Sequence, residues 1–169
     1  MRVRTAVLVE GTSDERAVTT LARRLGRDLA AEGVAVVAMG GATNVGRYVR
    51  RFGPDGAGLR LIGLCDAGEA AHFRRGLERF FVCDADLEDE LIRALGVPAL
   101  EAVIDREGEL GALRTLQQQP AQRDREPVRQ LRRFIGSRGG RKIRYASLLV
   151  EALDLDNVPA PLSQLLEAV

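Results

Sequence analysis

Thr5-Ala6-Val7-Leu8-Val9 is a short, nearly all-apolar run, the pattern of a strand buried on both faces of a parallel sheet. Past Glu10-Gly11, Thr12 stands three residues ahead of Glu15, a capping-box spacing that predicts a helix start. An apolar stripe at Ala17, Val18, Leu21, Leu25 and Leu29 carries that helix to Gly33. The rhythm then repeats. Val34–Ala38 reads as a second strand, and Thr43 or Asn44 caps a helix to about Phe52. A Gly/Pro/Asp loop at 53–58 leads to a third strand, 59–64, ending at Cys65-Asp66. A helix over about 69–78 and a fourth strand, 79–83, follow. Strands alternating with helices in this way predict an α/β fold, with a doubly wound sheet of about four mainly parallel strands.

Beyond Asp84 the period stays helical. Leu87, Leu91 and Leu95 are spaced by four on a helix that Gly96 ends, and further helices are expected near 98–105, 108–118, 127–135, 141–153 and 161–168. Gln117 to Pro127 is polar and reads as a loop. The expected organisation is an α/β core over residues 1–96 and a helical C-terminal extension, 97–169, packed on it.

Composition removes several function classes. With 169 residues, 46% apolar and 29% charged, the chain has the makings of one ordinary core. Its 25 basic and 24 acidic side chains leave a net charge of +1, so nucleic-acid binding requires local clustering. No apolar run approaches a membrane span, and Met1-Arg2-Val3-Arg4 leads directly into the strand pattern, not into a signal peptide. The expectation is a cytoplasmic chain with Cys65 and Cys83 reduced. Two cysteines and one histidine, His72, cannot build an ordinary structural zinc site. No P-loop lysine follows the glycine-rich run at 53–58, which excludes an ATPase of that kind. All basic residues but Lys142 are arginines.

The chemistry that stays open is acidic. In parallel α/β sheets, functional groups gather beyond the carboxyl ends of the strands. The first strand ends at Glu10, with Asp14 in the next helical turn; the third ends at Asp66, with Glu69 close by; the fourth ends at Asp84, with Asp86 and Glu88 following. Carboxylates crowded on one rim need protons or cations, and oxygen donors without histidine or thiolate suit Mg²⁺ or Mn²⁺. First-turn acids also cap helices, an alternative that covers Asp14, Glu69, Asp86 and Glu88 but not Glu10 or Asp66.

Val9-Glu10-Gly11-Thr12-Ser13-Asp14 after a first strand resembles the opening motif of the Toprim domain, in particular that of the OLD-family (overcoming lysogenization defect) nucleases. The likeness continues with Asp66 after the third strand, Asp86-Leu87-Glu88-Asp89 opening a helix, and Gly140-Arg141-Lys142 before Tyr145-Ala146. The resemblance implies a Toprim-like fold and a metal-dependent phosphodiester hydrolase, a DNA endonuclease with a two-metal Mg²⁺ or Mn²⁺ site. Residues matching Glu10, Asp14 and Asp66 would hold the first ion. Those matching Asp66, Asp86 and Glu88 would hold the second, with Glu69 and Asp84 as further candidates. Glu10 would bind metal or act as general base, and Lys142 would stand at the scissile phosphate. Two departures stand out. The family's Asp-x-Asp motif reads Asp66-Ala67-Gly68 here, and glycine offers no ligand. The family's amino-terminal ATPase has no counterpart ahead of the Toprim strand, which implies activity independent of ATP or an ATPase on a separate chain.

Residues 121–144 carry nine basic side chains against Asp124 and Glu126, around the glycine loop at 137–140. This run reads as a strip for nucleic-acid phosphates, DNA before RNA, with Arg138, Arg141 and Arg144 as contacts, or as a solvated arginine-rich face. Sparse aromatics argue against base stacking. The rival to a nuclease is a non-catalytic Toprim module that binds nucleic acid or a separate ATPase. A receiver-like domain is disfavoured by the helical tail. Oligomeric state stays open.

Overall fold

A computed structural model describes residues 2–138 and 140–169; Met1 and Gly139, parts of the amino-terminal segment and the glycine loop considered above, lie outside them. Four parallel strands form one sheet in the order β2-β1-β3-β4, with β1 at Thr5–Val9, β2 at Val34–Ala38, β3 at Arg60–Asp66 and β4 at Phe80–Cys83. The chain moves one way from β1 to β2 and the other way from β2 to β3 and on to β4. Right-handed crossovers then require the β1–β2 connection to lie on the opposite face from the other two.

The packing follows that rule. Helix α1 (Thr12–Arg24) covers one face; α2 (Val45–Phe52) and α3 (Ala70–Arg74) cover the other. Alternation along β1 divides its side chains, with Val7 and Val9 toward α1 and Ala6 and Leu8 toward α2 and α3. Cys65 and Cys83 are buried and free, and they sit in opposite layers, so they cannot pair. Burial pushes the Cys65 thiol up to about 12, leaving it protonated and unreactive.

Among the described residues six further helices follow: α4 (Leu87–Leu95), α5 (Val97–Arg106), α6 (Leu110–Gln117), α7 (Pro127–Gly136), α8 (Arg141–Ala152) and α9 (Ala160–Glu167). They join α1 over the first face in one continuous apolar core that runs from Val7 and Ile62 to Leu100, Phe134, Tyr145 and Leu165. Among the described residues, no helix is long and apolar enough to cross a membrane.

Two sequence expectations shift. Helix α1 stops at Arg24, not near Gly33; Gly26 adopts a φ of 75°, a left-handed conformation that ends the helix and leaves Leu25 exposed. Helix α3 is only five residues long, because the chain turns at Gly76 and folds Leu77 into the core. Gly63 on β3 permits that close approach, since a Cβ there would lie 2.6 Å from Phe73.

Helix α8 lies alongside α1 and runs in the same direction. Near its end, Arg23 pairs with Glu151, and Arg24 donates to the carbonyls of Val150 and Leu153, each at 2.7 Å. Those bonds cap the C-terminal end of α8, where the last carbonyls lack the full set of helical donors. Nine residues before Arg23 is Asp14, and nine before Glu151 is Lys142. The parallel register thus carries the only lysine to the sheet's carboxyl edge.

Candidate active site

In a doubly wound sheet the crevice opens where strand order reverses, at the carboxyl ends of β1 and β3. Val9 pairs with Leu64 across that junction, so Glu10 and Asp66 emerge side by side. The two ends are joined directly: the backbone N–H of Asp66 donates to Glu10 Oε1 at 2.8 Å. Glu10, which caps no helix of its own, ties the two central strands together at the rim.

The other acids arrive on helix starts. Asp14 accepts from the Gly11 N–H at 2.9 Å, so the returning carboxylate is Asp14 and not the expected Glu15. Asp86 is the N-cap of α4, taking the Asp89 N–H at 2.8 Å. Capping and clustering therefore hold together at Asp14 and Asp86: each uses one oxygen for its helix. Glu88, in the first turn of α4, lies with Ser13, Asp14 and Lys142 around a cleft between α1, α4 and α8, floored by Ala17, Leu91 and Ala146. Its Oε2 is buried without a hydrogen-bond partner among the described residues.

These groups share one electrostatic neighbourhood. Burial, then the charges of Glu10, Asp14 and Asp86, push Asp66 up to about 7. Burial likewise raises Glu10, Asp14 and Glu88 above the ordinary carboxylate range, against the pull of Lys142 on all three. They do not share one coordination point, however. Among the described residues, no three acidic, histidine or cysteine side chains close on a single position that an ion would occupy. The caps explain this, since the backbone bonds at Asp66, Gly11 and Asp89 hold Glu10, Asp14 and Asp86 in orientations set by local structure.

The remaining candidates separate. Glu69 stands near Glu10, whose pKa its charge helps raise, and lies 3.6 Å from His72 Nε2. Asp84 is 82% exposed and faces Arg93 at 3.5 Å, outside the cluster. A side chain at Gly68 would meet nothing within 4 Å, so the missing ligand leaves open space. Arg141 is only 4% exposed; it stacks over Phe134 and bonds Glu109, Ser137 and the Phe134 carbonyl. That burial removes Arg141 from the expected phosphate strip. Arg144 is half exposed but paired with Glu107 and Glu109. Arg138 is exposed, as are Arg125, Arg129 and Arg133, none of them within 4 Å of a carboxylate among the described residues.

One site residue escaped the sequence. Arg132 on α7 reaches α4 and pairs with Asp86, with Asp89 at 3.3 Å and with Glu88 at 3.9 Å. Forty-six positions separate Arg132 from Asp86, so no spacing announces the contact.

The raised Asp66 has a consequence for the metal-free protein. A carboxyl that holds its proton more tightly folded than unfolded contributes stability present below its unfolded pKa, near 4, and lost as pH rises through about 7. Glu32 and Glu101, lowered chiefly by hydrogen bonds from arginine, and Glu109, lowered against its burial by Tyr145 and then Arg141 and Arg144, act with the opposite sign, their stabilisation being lost only as pH falls. Calorimetric melting in a chelating buffer is expected to show the midpoint falling toward neutral pH, with Mg²⁺ reversing the fall. A flat profile is incompatible with a crowded Asp66.

A four-stranded parallel sheet with acids at its carboxyl edge and a lysine delivered by a covering helix resembles the Toprim class of α/β domain. Residues 3–67 match the family model "Overcoming lysogenization defect protein-like, TOPRIM domain". Across nearly its full length the chain is similar to the C-terminal region of the Burkholderia pseudomallei OLD protein, at 22% identity and a TM-score of 0.70, covering 99% of this chain and 97% of that one. The C-terminal region of the Xanthomonas campestris pv. campestris OLD protein gives 25% identity and a TM-score of 0.69, covering 98% and 91%. No curated protein matches the sequence. Nearly the whole chain thus shares the fold of OLD C-terminal regions, and residues 3–67 match the model of an OLD-like Toprim domain, a nuclease-type family.

Proposed function

We propose that this chain is a Mg²⁺- or Mn²⁺-dependent phosphodiester hydrolase acting on DNA. The observation that carries the reading is the convergence of Glu10, Asp14, Asp66 and Glu88 with the only lysine at one rim, where burial and mutual repulsion raise all four carboxyl groups. The donor set fits a hard cation, because it is all oxygen, two carboxylates at adjacent strand ends and a third on the first turn of α1. Glu10, Asp14 and Asp66 would hold the ion, with rotation of Asp14 away from its capping bond.

A bound divalent ion supplies water activation near neutral pH and positive charge for the phosphoryl oxygens. The chain's own residues do the rest. Glu10, fixed beside Asp66 at the rim, orients the attacking water or takes its proton. Lys142 offsets the charge that builds on the non-bridging oxygens as water adds to phosphorus and the sugar oxygen departs. Arg125, Arg129, Arg133 and Arg138 offer sequence-independent contacts to neighbouring phosphates.

The test is nicking of supercoiled plasmid with Mg²⁺ or Mn²⁺ against a chelator control. Wild type is expected to nick, and Glu10→Gln to lose at least about a hundredfold in rate with its melting curve still cooperative. Salt-sensitive DNA binding without any cutting overturns the hydrolase in favour of a non-catalytic module, the reading that Gly68 favours.

A further inference from the structure

The acids on α4 already have a cation. Arg132 reaches them from α7, where Leu131, Phe134 and Ile135 are buried in the core and fix the helix that carries it. Its guanidinium pairs with Asp86 and lies 3.3 Å from Asp89 and 3.9 Å from Glu88. The other Asp86 oxygen takes the Asp89 N–H at 2.8 Å, so both oxygens of this carboxylate are engaged. Arg93 completes the neutralisation, with its Nε 2.8 Å from Asp89. On the facing side of the rim, the position that would supply a further carboxylate is Gly68, and the space around it is open. A second divalent ion would therefore meet Asp86 already paired with a guanidinium, and at Gly68 no side chain to complete its ligands. Inserting it means displacing a cation held by three carboxylates, against electrostatic repulsion.

We infer that Arg132 takes the place of a second divalent cation, so that this chain binds a single such ion, on the Glu10–Asp14–Asp66 side of the rim. The inference rests on the metal-dependent reading above. A built-in guanidinium cannot polarise water, so Arg132 acts as a positioning residue: it holds Asp86 and Glu88 in place and supplies fixed positive charge beside the path of a phosphate.

The experiment is a count of bound Mn²⁺. Metal-free protein is titrated with Mn²⁺ while the free ion is read by electron paramagnetic resonance, which needs no substrate and no turnover. Wild type is expected to take up one ion per chain and Arg132→Gln two, whereas Arg132→Lys, which keeps the charge, stays at one. Arg132→Met serves as a second uncharged variant should Arg132→Gln melt without cooperativity. Two ions in wild type overturn the inference and leave the hydrolase reading standing. One ion in every variant overturns the role of Arg132 alone. No ion in any of them overturns both the inference and the metal-dependent reading beneath it.

Discussion

Asp66→Asn is expected to abolish plasmid cleavage, by about a thousandfold or more, and at the same time to raise the melting temperature of the metal-free protein. The two effects come from one cause. Asp66 sits at the end of a central strand, partly buried, with the charges of Glu10, Asp14 and Asp86 upon it. Near neutral pH its ionised form is unfavourable unless a cation compensates it. Asparagine keeps the shape and the backbone bond to Glu10, removes the charge, and takes away an anionic ligand. The metal-free protein gains what repulsion had subtracted, and the decline of stability through about pH 7 flattens. Calorimetry of both proteins in chelator, and again in Mg²⁺, reads the result directly. Wild type is stabilised by the ion, and Asp66→Asn much less. If the substitution leaves cleavage intact, Asp66 holds no ion that matters; if it lowers the metal-free melting temperature, the carboxylate is better satisfied than the surrounding charges imply.

Lys142→Ala is expected to reduce the cleavage rate by about 10²–10³-fold without loss of Mn²⁺ binding. Lys142 is on the second residue of α8, beside Asp14 and Glu88, and its ammonium lowers the proton affinity of Glu10, Asp14, Asp66 and Glu88. Removing it leaves more uncompensated negative charge, so metal binding holds or tightens while the charge available to the phosphoryl oxygens is lost. That split separates a phosphate-facing lysine from one that only neutralises the cluster. Lys142→Arg tests geometry against charge, because a guanidinium presents a planar fork in place of a compact point charge. Loss of Mn²⁺ binding together with cleavage would place Lys142 in the architecture of the site and not at the reacting phosphate.

Much of the fold is legible along the chain because its determinants are local. The apolar run of Thr5–Val9 has only one comfortable place, inside a parallel sheet, and β1 occupies those five residues. Leu87, Leu91 and Leu95 before Gly96 predict α4 with both ends correct. Misplaced boundaries have equally local causes that compete with periodicity. Leu25 continues the stripe of α1, yet Gly26 turns the chain first; residues 75–78 extend the pattern of α3, yet the turn at Gly76 breaks it. Glu10 and Asp66 stood out because each follows an apolar run directly, where burial of the strand forces the next polar side chain into the crevice.

The basic run at 121–144 shows where such reading stops. On the sequence Arg138, Arg141 and Arg144 read alike as phosphate contacts, and nothing sets Arg132 apart. In three dimensions Arg132 is held by α4 acids, Arg141 is buried over Phe134, Arg144 faces Glu107 and Glu109, and Arg138 stays open to solvent. Each fate depends on which acids another helix brings within reach, and those acids lie far away along the chain.

Residue order alone thus determined the alternation of strands and helices and the carboxylates that follow the central strands, because burial periodicity and strand-end polarity act over a few neighbouring positions. Only packing decided that Lys142 meets Asp14, through the parallel register of α1 and α8, and that Arg132 pairs with Asp86. Coulombic pairing depends on distance in space, and helices separated by more than forty residues acquire that distance only when a common core brings them together.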